Sequence, residues 1–244
     1  MTGFEQAWTA VSEVEGWMTE GQARALHDAA AGCPPGGTIV EIGSFHGRST
    51  IVLASACPPD ATVIAVDPHA GNDRGPQEIE GFEAEADQDH ATFTRNLTDA
   101  GVAHRVRHLR AFSDDALADI DGTIDVLYVD GAHRYGPARA DIVRYGERVR
   151  DGGVMLIHDS FSSIGVTLAI LRELTFGRRW RYEGRSRSLT VYRADGNVSR
   201  PANAARQLLQ LPWFVKNLAL KLLLTLGLGK LLHKLGRPAP DWPY

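Results

Sequence analysis

The sequence has little cysteine. Cys33 and Cys57 are the only two in 244 residues, and neither belongs to a CxxC spacing. That argues against a disulfide framework or a thiolate-rich zinc site as the basis of the fold, and it fits a reducing cytoplasm. Positive charge is not in excess: 26 Lys and Arg stand against 30 Asp and Glu, for a net charge of −4. Nucleic-acid binders are usually basic overall, so no nucleic-acid partner is expected. The N-terminal stretch MTGFEQAWTAVSEVEGW mixes acids with apolar residues and lacks the basic and apolar regions of a secretory signal. In the Leu-rich C-terminal region, lysines interrupt the apolar run before it reaches the ~18 uncharged residues of a spanning helix. Internal repeats are absent, as is the GxGxxG of dinucleotide enzymes, which disfavours a dehydrogenase.

What is present is a run of short apolar bursts: TIVEIG (38–43), ATVIAVD (61–67), HRVRHLR (104–110), IDVLYVD (124–130) and GGVMLIHD (152–159). Helix-like stretches at 48–56, 88–100, 113–119 and 136–150 separate most of them. This alternation predicts an α/β fold, a parallel sheet covered on both faces. Two later strands are expected at 180–184 and 188–194. Residues 4–32 read as helix, with a second start near Thr19. The chain therefore divides into an N-terminal helical segment (1–34), a central domain (35–195) and a C-terminal extension (196–244).

The first burst leads into VEIGSFHGRST, with Glu41, Gly43 and Gly47 in an E-x-G-x-x-x-G pattern and Ser49 and Thr50 opening a helix. Small residues let a backbone turn sharply against a ligand. The next strand ends on Asp67, an acid placed to accept hydrogen bonds from ribose hydroxyls. This combination resembles the class I methyltransferases that bind S-adenosylmethionine. The resemblance implies a Rossmann-like, doubly wound, seven-stranded, mostly parallel sheet ending in an antiparallel strand. It also implies a donor site of Glu41, Gly43, Ser44, Gly47, Ser49, Asp67 and Asp130, with Ser113, and Asp114 beside it, next to the adenine.

Two neighbouring strands end in acids, Asp130 and Asp159. Carboxylates converging at one sheet edge repel unless one is protonated or a cation lies between them. Hard oxygen ligands favour Mg²⁺, Mn²⁺ or Ca²⁺ over zinc, with Mg²⁺ or Mn²⁺ the expected cofactor. His133, three residues past Asp130 in a DGAH turn, is placed to act as a base on a hydroxyl. DGAHRY…HDS resembles the metal-dependent sugar O-methyltransferases, including macrocin and mycinamicin O-methyltransferases and actinobacterial enzymes acting on methylmannose polysaccharides. The resemblance implies metal ligands at Asp130 and Asp159, with Ser160 in a third position, and His133 as base. It also implies a sugar or oligosaccharide acceptor. Methylation of a small phenol or catechol is the alternative chemistry, and a non-catalytic donor-binding partner protein the alternative class. His158 reads as a core histidine.

Other stretches bear on the acceptor. Residues 71–90 hold Glu78, Glu80, Glu83, Glu85, Asp87 and Asp89, a solvated loop or a lid able to supply a further ligand. His69 could reach the same pocket. Arg178, Arg179, Arg181, Arg185 and Arg187 read as a solvated hairpin face. Residues 206–236 are Leu-rich and basic. They are expected to pack on the domain itself or on a second copy in a homo-oligomer such as a dimer, with peripheral membrane contact the alternative. Lys216 and Lys221 stand about 140° apart on a helix, which speaks against a simple amphipathic anchor.

Overall fold

The computed structural model describes residues 3–70 and 83–225. Helices α1 (Gly3–Ala10) and α2 (Glu20–Ala31) precede strand β1 (Thr38–Ile42). Then follow α3 (Arg48–Ala56), β2 (Thr62–Val66), α4 (Glu83–Asp99), β3 (Val106–Leu109), α5 (Ser113–Ala116), β4 (Ile124–Val129), α6 (Tyr135–Arg148) and β5 (Val149–Ile157). The chain continues through α7 (Ile164–Glu173), β6 (Trp180–Ser186), β7 (Leu189–Ala194), α8 (Arg200–Leu208) and α9 (Leu211–Thr225). All seven expected strands form. Helix α7 has no counterpart in the sequence reading. Its apolar residues lie on two faces, Val166, Ala169 and Ile170 buried and Ile164 and Leu168 exposed, so no single helical stripe marks it.

The sheet order is β3-β2-β1-β4-β5-β7-β6. The pairs from β3 to β5 are parallel, and β7 runs antiparallel to both β5 and β6. This is the expected Rossmann-like methyltransferase architecture, with helices on both faces and at both ends of the chain. Alternate residues supply two cores: Leu127, Val129, Met155 and Ile157 face one helical layer, while Val126, Tyr128, Val154 and Leu156 face the other. Strand order reverses between β1 and β4, and the carboxyl ends flanking such a reversal are where open α/β sheets bind ligands.

The N-terminal segment is two helices, the second starting at Thr19 as expected. Thr19 caps α2: its hydroxyl accepts from the Gln22 backbone N–H at 3.4 Å, and the Gln22 side chain accepts from Thr19 N–H at 2.8 Å. Such reciprocal capping contributes about 1 kcal/mol. The C-terminal helices are joined to the domain. Asn203 binds Tyr182 N and Trp180 O, Gln207 binds Thr175 and Tyr192, and Asn217 donates to Phe161 O. Pro212 lies in the first turn of α9, where its missing N–H costs nothing. Gly227 and Gly229, expected to subdivide the segment further, lie outside the described residues. Among the described residues, no helix is long and apolar enough to cross a membrane.

Candidate active site

The turn after β1 is built around two glycines with positive φ, Gly43 and Gly47, both at 85°. A Cβ on Gly43 would collide with the Asp130 carbonyl, so glycine here lets the ends of β1 and β4 close up. Asp67 organises the turn from the neighbouring strand. Its Oδ2 accepts from Ser44 N–H (2.9 Å) and Phe45 N–H (2.8 Å), and its Oδ1 accepts from His69 N–H (2.8 Å). His69 faces the turn as well, through Nε2 and Phe45 O at 2.9 Å. Beneath lies Glu41, fully buried and accepting hydrogen bonds from Ser49 and Thr50. Burial is the main cause that lifts its carboxyl to about 8, against the lowering effect of the two hydroxyls.

A narrow cleft opens above this turn. It is lined by Gly43, Ser44 and Ser49, by Tyr128 and Asp130 from β4, and by Trp17 and Met18 from the segment before α2. Ser44 Oγ is buried without a protein partner, a polar atom left for a ligand. Trp17 stacks on Phe45 at 5.7 Å.

Asp130 and Asp159 sit at the ends of β4 and β5. Asp130 N–H continues the sheet by donating to Ile42 O at 2.8 Å, and Tyr128 OH donates to Asp130 Oδ2 at 2.7 Å. Asp159 takes φ 53°, an unusual conformation for a non-glycine residue that turns the chain sharply off the strand. His133 Nε2 lies 2.7 Å from Asp159 Oδ2, and its ring is about half exposed. Its turn is docked on α7: Ser163 Oγ donates to His133 O, and a Cβ on Gly165 would strike that carbonyl. His158 Nδ1 lies 3.1 Å from Asp130 Oδ1 and 3.7 Å from Asp159 Oδ2. On its other side, His158 Nε2 meets Gln22 Nε2 at 3.3 Å. The Gln22 amide oxygen is held by Thr19, and its nitrogen also donates to Ser188 Oγ.

Ligand atoms of Asp130, His133 and Asp159 all lie within 4.8 Å of one another. Asp159 Oδ1 is buried with no protein partner. Burial opposes ionisation of Asp159, but hydrogen bonds and charge from His133 and His158 outweigh it and hold the carboxyl well below its usual range. Burial likewise opposes protonation of His133, and Asp159 and then Asp130 outweigh it, raising the imidazole above its ordinary value. An ionised carboxylate with an orphaned oxygen, a second carboxylate and an imidazole make a donor set that fits a hard divalent cation.

Several expected site residues are placed differently. The Ser160 hydroxyl is committed within the protein, buried against Ile157 O (2.9 Å) and Thr190 Oγ1 (2.7 Å). Glu41 supports the turn from below and does not line the cleft. Ser113 opens α5, where it binds the buried Asp141 carboxyl, and its carbonyl accepts from Tyr145 OH. Asp114 pairs with Arg144. From the acidic stretch, Asp87 pairs with Arg110 and Asp89 with His46, both away from the carboxylate pair. Glu78 and Glu80 lie outside the described residues. His158 and Gln22 were not foreseen as site residues. Gln22 lies just inside the helix start expected near Thr19, but nothing in the sequence linked it to a histidine 136 positions away.

Residues 40–160 match the family described as "Methyltransferase domain", a span running from β1 through Asp159. No curated protein matches the chain by sequence. Cofactor-bound Rv0187 from MTB superposes with a TM-score of 0.58 at 19% identity, covering 81% of this chain and 91% of that one. The O-methyltransferase TomG from Streptomyces achromogenes, solved with SAM and involved in tomaymycin synthesis, gives 0.54 at 20% identity over 80% and 91%. An O-methyltransferase from Bacillus cereus, in complex with SAH, gives 0.53 at 17% identity over 79% and 89%.

Proposed function

We propose that the chain, whose residues 40–160 match the methyltransferase domain family, is an S-adenosylmethionine-dependent methyltransferase that methylates a hydroxyl oxygen in a reaction assisted by Mg²⁺ or Mn²⁺. The observation that carries the cation reading is the orphaned, buried Asp159 Oδ1 beside Asp130 and His133. The O-methyltransferase neighbours support an oxygen acceptor. The DGAHRY…HDS resemblance supports a sugar hydroxyl on a glycoside or polysaccharide precursor.

In this reading the turn at Gly43–Ser49 and the cleft below Trp17 hold the donor, and Asp67 keeps the turn in shape while its Oδ1 retains capacity for a ribose hydroxyl. Asp130 and Asp159 hold the cation. When bound, a divalent ion eases loss of a proton from a coordinated hydroxyl. The acceptor oxygen forms its bond to the methyl carbon as the carbon–sulfur bond breaks, and the hydroxyl proton passes to His133. Asp159 orients that imidazole. His158, fixed by Gln22, orients the two carboxylates. Positioning of two reactants supplies much of the rate in such a transfer.

The geometry favours a second role for His133. Its Nε2 converges with the carboxylate oxygens, which makes it a candidate third ligand in place of Ser160. The test is methyl transfer from labelled donor to a panel of glycosides, with and without chelator. The proposal expects transfer to be abolished by chelator and restored by Mg²⁺ or Mn²⁺. Transfer indifferent to chelator would remove the cation. Mn²⁺ affinity of His133→Ala separates the two roles: a base leaves it intact, a ligand does not.

A further inference from the structure

Helix α9 has two dissimilar faces. One is joined to the domain: Trp213 and Phe214 pack against the core, Asn217 Nδ2 donates to Phe161 O, and Lys221 Nζ donates to Ser162 O, each at 3.1 Å. The other carries Val215, Leu218, Ala219 and Leu222, spaced i, i+3, i+4 and i+7 and roughly opposite the first at 100° per residue. These are exposed, Val215 at 62% and Leu222 at 59%. Leu209, in the turn before α9, is 74% exposed. The angular separation of Lys216 and Lys221 thus has a cause. Lys221 belongs to the protein-facing side, and exposed Lys216 flanks the apolar stripe.

The surroundings are basic. The β6–β7 hairpin abuts the start of α9, with Arg185 over the Trp213 ring at 3.9 Å and Arg185 Nε donating to Gln210. Arg187 is exposed at the hairpin tip. Among the described residues from 201 onward, the charged ones are Arg206, Lys216 and Lys221, and none is acidic. A symmetric contact between two copies would set these cations against their own kind. Apolar side chains flanked by lysine and arginine, with acids absent from the helix, match an anionic lipid surface.

We infer that the exposed face of α9 docks the enzyme on an anionic membrane surface, with Val215, Leu218 and Leu222 entering the acyl boundary and Lys216 and Arg187 meeting headgroups. The opposite, domain-facing side of α9 contacts Phe161 and Ser162, two and three residues from Asp159. Docking does not depend on the cation reading and can fail or hold separately from it.

The experiment is co-sedimentation of the full chain with vesicles of phosphatidylcholine alone and of phosphatidylcholine with phosphatidylglycerol. The expected result is binding to the anionic vesicles that weakens as salt is raised. Partitioning is expected to fall about tenfold for Val215→Ser/Leu222→Ser and for Lys216→Glu, with melting temperature and donor affinity unchanged. Because Lys216 is an exposed flank, its substitution keeps the test decisive if the double variant folds poorly. Wild-type protein left in the supernatant with both vesicles overturns the inference, as does binding unaltered by Lys216→Glu. A concentration-dependent dimer in sedimentation velocity, lost in the double variant, also overturns it and assigns the stripe to a second copy.

Discussion

Two pairs of carboxylates occupy the same edge of the sheet and are treated in opposite ways. Glu41 and Asp67 are answered from within the protein, by two hydroxyls and by three backbone N–H groups. Asp130 and Asp159 are answered by imidazoles and a phenol, and one buried oxygen of Asp159 is left unanswered. Buried polar groups are nearly always paired, so the first pair reads as scaffolding of the donor turn and the second as a place for a cation.

The sharpest way to break that contrast is to neutralise the second pair. Asp159→Asn is expected to reduce transfer by far more than about a hundredfold, the upper loss seen when only an outer-shell partner of a metal site is removed. Steady-state kinetics across a Mn²⁺ titration checks this, and turnover near wild type would place the cation elsewhere. His133→Ala is expected to lower kcat about 10²–10⁴-fold while donor affinity holds, read by kinetics alongside donor-binding calorimetry.

The first pair should respond through stability. Gly43→Ala, at φ 85° against the Asp130 carbonyl, is expected to cost about 1–3 kcal/mol in denaturant unfolding and to weaken donor binding. Glu41→Gln gives the most specific effect, one confined to the pH dependence of stability. With its carboxyl raised from 4.5 to about 8, the folded chain keeps a proton that the unfolded chain has shed across that interval. Stability from this group is complete below about 4.5 and declines as pH rises towards 8, by up to about 1.4 kcal/mol per pH unit. The glutamine variant should lack that decline in melting curves recorded from pH 5 to 8, and identical profiles would contradict the raised carboxyl.

How far these features could be read from the sequence follows from their range. Strands β1 to β5 were legible because buried parallel strands are near-continuous apolar runs, and Asp130, His133 and Asp159 because they sit at or just past strand ends. Ser160 neighbours Asp159 in sequence, and the pairing of its hydroxyl with Ile157 O and Thr190 Oγ1 is a contact that only folding makes. His158 looked like a core histidine, and its burial agrees, but its role depends on Gln22 and Asp130, contacts that only folding makes. Asp67 was legible as a donor-site acid. Its part in holding Ser44 and Phe45 was not, since backbone N–H groups leave no mark in a sequence.

The central claim is that Asp130 and Asp159 hold a divalent cation. Mn²⁺ binding, followed by electron paramagnetic resonance of the free ion, tests it without any acceptor in hand. The account predicts that the wild-type chain takes up Mn²⁺ and that Asp159→Asn does not. Equal uptake by both proteins, or none by the wild type, would contradict it.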